Sequence, residues 1–149
     1  MALKTTLYYS PSFDSKKRES KKIKYIIFHY TGMKRESEAI NRLTNIQSEV
    51  SSHYLIKNDG RIVTLVPDLY IAWHAGKSSW KNYKSLNNNS IGIEISNQGH
   101  QFTYNKFSKK KINAALRLSK FLIKKYSIKS KNILLTVSAL NDIKEIYCD

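Results

Sequence analysis

Two residues interrupt apolar, strand-like runs and could carry chemistry. His29 lies near the end of the run Tyr25-Ile26-Ile27-Phe28-His29-Tyr30, and Glu94 lies within Ile91-Gly92-Ile93-Glu94-Ile95-Ser96. An imidazole at the end of a buried strand is a suitable zinc ligand. A carboxylate opposite three isoleucines could act as the general base for a metal-bound water. The plainer alternatives are a hydrogen-bonded histidine at a strand end and a solvent-facing glutamate.

Two further histidines lie in distinctive surroundings. In Ala-Trp-His-Ala-Gly, Trp73 and His74 are suited to a wall that stacks on a sugar ring or packs against a peptide, although an aromatic packing cluster would use the same residues. His53 shares a strand face with Leu55, which favours a buried, hydrogen-bonded role over metal ligation. We assign no role to His100.

The elements that must position these residues can be predicted from periodicity and turn signals. Strand-like runs flank Asn58-Asp59-Gly60 and predict a hairpin, and Ser108 is a plausible helix N-cap. The predicted elements are a strand over 25–30, a helix over 34–48, hairpin strands over 52–57 and 61–66, a long loop over 76–90, a strand over 91–96, a helix over 109–126 and a strand starting at 132. This order predicts a single α/β domain with a mixed central β-sheet flanked by helices.

The two ends of the chain and the second helix carry further expectations. Residues 1–24 are predicted to be an extended basic arm packed by Tyr8, Tyr9 and Phe13. The outer face of the helix over 109–126 is basic, with Lys110, Asn113, Arg117, Lys120 and Lys124. Its inner face is predicted to be Ile112, Ala115, Leu116, Ser119, Leu122, Ile123 and Tyr126.

Composition limits the class of protein. The chain has 149 residues, which suits one domain. Its only cysteine is Cys148, which excludes a disulfide framework. No apolar run is long enough for a membrane span, and no signal peptide is visible. We therefore expect a cytoplasmic location, with the periplasm or cell wall possible by another export route.

The net charge of +15 favours anionic partners such as nucleic acid, anionic lipid or an acidic wall polymer. A codon bias that favours Lys together with Asn, Ile and Tyr would be a simpler explanation for part of this charge. No aromatic stacking motif, RRM signature or helix-turn-helix pattern accompanies it, so nucleic acid is not an expected partner. The sequence does not indicate an oligomeric state.

Six short motifs, taken together in their order along the chain, identify a protein family far more specifically than any single motif does. They are Ser10-Pro11-Ser12-Phe13-Asp14, the run ending His29-Tyr30-Thr31-Gly32, Val50-Ser51-Ser52-His53-Tyr54, Asp59-Gly60, Ala72-Trp73-His74-Ala75-Gly76 and Asn89-Ser90-Ile91-Gly92-Ile93-Glu94. This set resembles the zinc-dependent N-acetylmuramoyl-L-alanine amidases of the type 2 amidase family, which is related to the peptidoglycan recognition proteins. Within the family it is most similar to the AmpD/AmiD branch.

The resemblance implies a fold, a reaction and a substrate. These enzymes hydrolyse the amide between N-acetylmuramic acid and L-alanine of peptidoglycan or muropeptides, using a water activated by Zn²⁺. On this basis His29 matches the first zinc ligand and Glu94 the catalytic glutamate. The predicted substrate-binding residues are Trp73, His74, Tyr54, His53 and Asn89.

The last residues depart from the family pattern. The second zinc histidine is absent: its place falls on Thr136 without a gap, or on Leu140 when Asn141-Asp142-Ile143 is aligned. The family's catalytic lysine would fall on Ile146. Residues 135–149 are therefore predicted to be a divergent or truncated ending, in which Cys148 and Asp149 are the remaining candidate ligands. The alternative function is a catalytically impaired peptidoglycan-binding protein or a truncated remnant.

Overall fold

A mixed six-stranded sheet forms the centre of the molecule. The computed structural model describes residues 2–102 and 105–136. Its strands are β1 (Thr6–Leu7), β2 (Phe13–Asp14), β3 (Tyr25–Tyr30), β4 (Tyr54–Ile56), β5 (Ile62–Thr64), β6 (Ile71–Ala72), β7 (Ser79–Trp80), β8 (Tyr83–Lys84), β9 (Ser90–Ile95) and β10 (Ile133–Leu135), and its α-helices are α1 (Glu36–Thr44) and α2 (Lys109–Tyr126). The main sheet has the order β1-β5-β4-β9-β3-β10.

The central strands of this sheet run parallel. β9 pairs with both β3 and β4 in parallel, and β10 pairs with β3 in parallel. The hairpin strands β4 and β5 are antiparallel. Isoleucines make up five of the twelve residues of β3 and β9, which suits the buried centre of a parallel sheet. The expected α/β architecture is therefore confirmed.

Helix α2 covers one face of the sheet, here called the α2 face. Alternate residues of β3 and β9 meet Ala114, Ala115, Leu118 and Leu122 of this helix in the largest hydrophobic cluster. The isoleucines that β9 supplies to it are wholly or almost wholly buried. This alternation puts the even-numbered residues of β9 on the opposite face.

Helix α1 covers part of the opposite face, here called the site face. Its Leu43 packs with Leu55, Val63 and Leu65 in a smaller cluster. A third cluster on this face joins residues of β3 and β10 to Leu86. His29 and Glu94 lie between these two small clusters, where no helix of the described chain covers the sheet completely.

Most predicted elements are confirmed with small shifts in their ends. β3 has the predicted bounds, and α2 begins after Ser108, whose side chain accepts a hydrogen bond from the Lys111 amide at 3.4 Å. The helix predicted over 34–48 is shorter, because Asn45 leaves the helical conformation. The side chain of Asn45 accepts from the Gln47 amide at 3.0 Å and starts a separate 3₁₀ turn over Ile46–Ser48.

Two predictions, one for the segment 76–90 and one for the N-terminal arm, were wrong. The segment 76–90 is not an unstructured loop, since it contains the hairpin β7–β8 and a 3₁₀ turn over Leu86–Asn89. Tyr8 and Tyr9 do not pack the N-terminal arm and are 40% and 63% exposed, although Phe13 does pack, edge-on against Tyr70.

The inner face of α2 agrees with the prediction at most positions, since Ala115, Ser119 and Leu122 are buried and Ile112, Ile123 and Tyr126 pack against the core. Lys111, Ala114 and Leu118 are buried, whereas Ile112, Leu116, Ile123 and Tyr126 are only partly buried. Lys111 can be buried because its ammonium group donates to the Ser96 carbonyl at 2.6 Å. Neither described α-helix is long and apolar enough to cross a membrane.

Candidate functional site

His29 and Glu94 are direct neighbours across two parallel strands. The register of β3 and β9 pairs the two residues, and the preceding pair on the same face is Ile27 with Gly92. Since paired residues of adjacent strands present their side chains on the same face, both side chains project from the site face. The structure therefore brings together the two residues that the sequence singled out for chemistry.

Glu94 is a carboxylate held in a poorly solvated position. Its Oε2 atom is buried and has no hydrogen-bond partner in the described part of the chain. Burial raises the pKa of Glu94 from 4.5 to about 7, and the nearby positive charge of Arg42 only partly opposes this shift. A carboxylate with a pKa close to neutral is suited to accept and return a proton at physiological pH.

A cavity of about 140 Å³ opens beside this carboxylate. It lies between α1 and the end of β3, and it is walled by both polar and apolar groups. Its lining residues are Thr31, Met33, Ala39, Arg42, Leu43, Val50 and Glu94. The unpartnered glutamate thus borders a space that a water molecule and part of a small ligand can enter.

His29 is joined to the neighbouring loop by a histidine–histidine contact. Its Nε2 atom lies 3.0 Å from Nδ1 of His74, and Nε2 of His74 lies 3.0 Å from the hydroxyl of Ser90. Burial lowers the pKa of His29 to about 4. Burial, followed by the charges of His29 and His53, lowers the pKa of His74 well below its usual value. Both imidazoles are therefore neutral at pH 7.

Gly92 makes room for the ring of His74. A Cβ atom at Gly92 would lie 2.3 Å from Cγ of His74, which is closer than real contacts allow. Asn87 holds the loop in place, because its side-chain oxygen accepts from the amides of His74 at 3.2 Å and Ala75 at 2.8 Å. The His74 ring can therefore lie against β9 only because residue 92 has no side chain.

His53 lies behind His74 and is completely buried. Its Nδ1 accepts from the Gly92 amide at 3.0 Å, and its Nε2 lies 2.9 Å from the Tyr70 carbonyl and 3.1 Å from Nη2 of Arg18. Burial, and then the charge of Arg18, lowers the pKa of His53 to about 3. The expected buried, hydrogen-bonded role agrees with this position. The expectation of direct substrate contact does not, because no atom of His53 reaches the surface.

Tyr54 also lies away from the cavity. It is on the α2 face, one residue out of phase with His53, and its hydroxyl donates to Asp68 at 2.5 Å. Tyr126 and Lys125 bind the other carboxylate oxygen at 2.6 and 3.1 Å. Burial opposes ionisation of Asp68, but these hydrogen bonds and charges hold its pKa below the usual value. Strand alternation thus corrects the placement of Tyr54: it belongs to an internal polar cluster.

Trp73 and Asn89, two further predicted substrate-binding residues, lie in different environments. Trp73 is half-buried, and its indole N–H donates to Asp14 at 2.8 Å, which fixes the ring against the N-terminal arm. Asn89 is buried, and its side-chain oxygen has no partner among the described groups. Trp73 therefore presents part of its ring to solvent, whereas Asn89 has little accessible surface.

The described residues supply one clear metal ligand. The Nδ1 atom of His29 has no hydrogen-bond partner within residues 2–102 and 105–136, and an imidazole with a free nitrogen suits zinc. No group of three or more His, Cys, Asp or Glu side chains with metal-binding geometry occurs in that part of the chain. A catalytic zinc site needs three protein ligands, so these residues alone do not complete one. The candidate ligands Cys148 and Asp149, and the alignment position Leu140, lie outside the described residues.

Thr136 occupies the alignment position next to His29. β10 pairs with β3 so that Leu135 is opposite Phe28, which puts residue 136 beside His29. The amide and hydroxyl of Thr136 both donate to the Phe28 carbonyl, at 3.1 and 3.3 Å. On the ungapped alignment, the position expected for the second histidine therefore lies beside His29 and holds a hydroxyl bound to the backbone. The position given by the other alignment, Leu140, lies outside the described residues.

Sequence reasoning missed several residues that shape the site. Ser90 and Asn87 position His74, while Arg18 donates to the Asn87 carbonyl at 3.0 Å and to the Asp68 carbonyl at 2.8 Å. Ser90 had a detectable signal, because it shares strand parity with Gly92 and Glu94. Asn87 and Arg18 lie in polar segments whose composition gives no such signal.

Comparisons with known proteins agree with this geometry. The family model for N-acetylmuramoyl-L-alanine amidase (Amidase_2) matches residues 19–143, and so extends into the ending that was expected to diverge. N-acetylmuramoyl-L-alanine amidase AmiD of Escherichia coli K12 is 38% identical over 124 residues, which cover 75% of this chain and 44% of the relative.

Two solved complexes share the fold. The first is AmiD from E. coli with the substrate anhydro-N-acetylmuramic acid-L-Ala-D-gamma-Glu-L-Lys, with 36% identity and a TM-score of 0.71 over 76% of this chain and 48% of that one. The second is AmpDh3 from Pseudomonas aeruginosa with anhydromuramic pentapeptide, with 29% identity and a TM-score of 0.72 over 84% of this chain and 55% of that one. The chain spans about half the length of these relatives.

Proposed function

This chain belongs to the N-acetylmuramoyl-L-alanine amidase family, and we propose that it hydrolyses the amide between N-acetylmuramic acid and L-alanine of muropeptides or peptidoglycan. One observation carries this proposal: the Oε2 atom of Glu94, which is buried and has no hydrogen-bond partner among the described residues, lies beside His29 at the wall of a cavity. An unpartnered buried carboxylate is costly for stability, so its retention in this position favours a chemical role.

Glu94 acts as the general base and then as the general acid. With a pKa of about 7, its carboxylate accepts a proton from a water molecule as the water oxygen attacks the amide carbon. When the C–N bond breaks, the same proton passes to the nitrogen of the departing L-alanine. The products are the free lactyl carboxylic acid and a peptide with a free amino terminus.

We further propose His29 as one ligand of a zinc ion. Zn²⁺, when bound, polarises the amide carbonyl and lowers the pKa of a coordinated water. Further ligands would have to come from residues outside the described ranges, for which Cys148 and Asp149 are the candidates in the sequence. Their participation is a separate proposal that metal analysis of single variants can test.

The substrate is proposed to be an anionic peptide attached to a sugar. The net charge of +15 gives the chain a field that attracts the carboxylates of a stem peptide. The exposed part of Trp73 offers a stacking surface for the sugar or peptide, and His74 follows it directly in the chain. A muropeptide of cytoplasmic recycling is the form to test first, with intact wall as the comparison.

The experiment uses the full chain with one equivalent of Zn²⁺ and anhydro-N-acetylmuramic acid-L-Ala-D-γ-Glu-L-Lys, the ligand of the E. coli relative. Mass spectrometry should detect release of the tripeptide and of the anhydro-sugar acid. The matched control is Glu94→Gln, which keeps the shape of the side chain and removes its basic carboxylate.

Three outcomes are distinguishable. Cleavage that disappears in Glu94→Gln supports the proposal. Cleavage that survives this substitution overturns the role of Glu94. Binding without cleavage, in a folded and zinc-supplied chain, overturns the proposal and favours the impaired binding protein.

A further inference from the structure

The Ser90 hydroxyl can donate its proton to only one of its two neighbours. Ser90 Oγ lies 2.5 Å from the carbonyl oxygen of Leu86 and 3.0 Å from Nε2 of His74. A carbonyl oxygen can only accept, so at this distance the hydroxyl must donate to Leu86. The lone pairs of Ser90 then face His74, and Nε2 of His74 must carry the ring proton and donate it to Ser90.

The same reasoning extends one residue further along the chain of contacts. A neutral imidazole has one ring proton, so a proton on Nε2 leaves Nδ1 of His74 as an acceptor. This Nδ1 lies 3.0 Å from Nε2 of His29. The proton between the two rings therefore belongs to His29 Nε2, and the lone pair of His29 is on Nδ1.

We propose that Ser90 and His74 are positioning residues that fix the ring proton of His29 on Nε2 and keep its Nδ1 free as the reactive nitrogen. This inference deepens the proposed function, because a histidine that ligates a metal uses one neutral nitrogen while the other donates to a fixed acceptor. Here the acceptor is a second imidazole, oriented in turn by a serine whose own proton is held by the backbone.

The hydrogen-bonded series Ser90–His74–His29 is called the relay, and residues of a single strand, β9, hold it in place. On the site face, β9 presents Ser90, Gly92 and Glu94 at alternate positions. Ser90 accepts from His74, Gly92 leaves space for its ring, and Glu94 stands beside His29. The spacing Ser-x-Gly-x-Glu thus couples the orientation of His29 to the strand that carries the base.

The tautomers can be read directly by NMR. Long-range ¹H–¹⁵N spectra of protein labelled at histidine nitrogens, recorded at neutral pH without metal, distinguish a protonated from an unprotonated ring nitrogen. His29 and His74 should both be Nε2–H tautomers in the wild-type chain. A His29 that carries its proton on Nδ1, or that samples both tautomers equally, overturns the proposal whatever the variants do.

Matched variants separate positioning from mere packing. His74→Asn retains an acceptor close to the place of Nδ1, so His29 should keep its Nε2–H form. His74→Phe keeps the ring shape over Gly92 but removes the acceptor, so His29 should become a mixture of tautomers. Ser90→Ala should produce the same mixture, and Ser90→Thr should restore the wild-type spectrum. Identical spectra of His29 in His74→Asn and His74→Phe would contradict the relay.

Zinc affinity gives a second readout, measured by competition with a chromophoric chelator. Loss of a partner that orients a ligand weakens metal binding by about 10–100-fold. This loss is expected for His74→Phe and not for His74→Asn, and equal affinities would count against the proposal. If the chain shows the expected tautomers but cleaves no muropeptide, the relay stands and the proposed function fails. If the chain cleaves muropeptide with the other tautomer of His29, the proposed function stands and the relay fails.

Discussion

The same strands form both faces of the central sheet, but the two faces have different roles. On the α2 face, β9 presents Ile91, Ile93 and Ile95, which are at most 2% exposed and pack against a helix. On the site face, the intervening residues of β9 are a serine, a glycine and a glutamate. β3 shows the same contrast at its end, with Phe28 on one face and His29 on the other.

This difference shows how one strand can combine stability and chemistry. Each buried isoleucine contributes about 1.5–3 kcal/mol relative to an exposed one. A buried oxygen without a partner costs about 1–3 kcal/mol, and Oε2 of Glu94 is such an atom within the part of the chain that the structure describes. The α2 face therefore stabilises a strand whose other face is unfavourable for folding. Substitutions of neighbouring residues on β9 should separate these two contributions.

The largest effect is expected on catalysis, from Glu94→Gln. Removing a general base typically lowers the rate by about 10²–10⁴-fold. The amide side chain fills the same volume, so the unfolding transition should remain cooperative and should not move to lower denaturant. Steady-state cleavage of the muropeptide and urea unfolding measure both quantities. A loss of rate below tenfold would remove Glu94 from the proposed mechanism.

The adjacent Ile93→Ala should show the opposite pattern. Truncating a fully buried isoleucine leaves a cavity and costs about 2–5 kcal/mol of unfolding free energy. Its control is Ile46→Ala, since Ile46 is 52% exposed and its truncation should change stability by no more than about 0.5 kcal/mol. Similar losses in the two variants, measured by urea unfolding, would contradict the assignment of the α2 face as the stabilising one.

A smaller effect is expected from Gly92→Ala on the site face. The added methyl group would overlap the ring of His74, and overpacking typically costs about 1–3 kcal/mol. Because the cost comes from one neighbour, it should largely disappear in a His74→Ala background. Unfolding free energies of the two single variants and the double variant give the coupling. Additive effects would show that something other than the His74 ring limits residue 92.

The α2 face was largely predictable from sequence, because continuous apolar runs and alternation depend on local patterns. Thus β3, β9 and the start of α2 were predicted nearly to the residue. The burial of Lys111 on α2 was not predicted, since periodicity cannot reveal the hydrogen bond from its ammonium group to the Ser96 carbonyl.

The site face was predictable only in part. His29 and Glu94 stood out as polar residues in apolar strands, and their register brings them together. Of the partners of His74, Ser90 was signalled by its strand parity with Gly92 and Glu94. Asn87 could not be foreseen, since its contacts depend on how the loop after residue 72 folds back. Tyr54 was misplaced because a motif match does not specify which face of a strand a residue occupies.

The smallest effect concerns how stability responds to pH, and it should come from the site face. Glu94 has a pKa of about 7 when folded and an ordinary value of 4.5, so the folded chain keeps a proton that the unfolded chain has lost. Between these values, raising the pH must therefore destabilise the folded state through Glu94, by no more than about 1.4 kcal/mol per pH unit. The lowered pKa values of His29 and His53 act in the opposite direction, because unfolding allows these rings to bind protons.

A comparison of wild type with Glu94→Gln isolates the contribution of Glu94. Both chains share the contribution of the two histidines, so it cancels when they are compared by urea unfolding across this pH range. The variant should gain stability relative to wild type as the pH rises through the window and should hold a constant advantage above it. A difference that does not change with pH would mean that folding leaves the pKa of Glu94 at its ordinary value, and the positive charge of Arg42 would then have to offset the burial of the carboxylate completely.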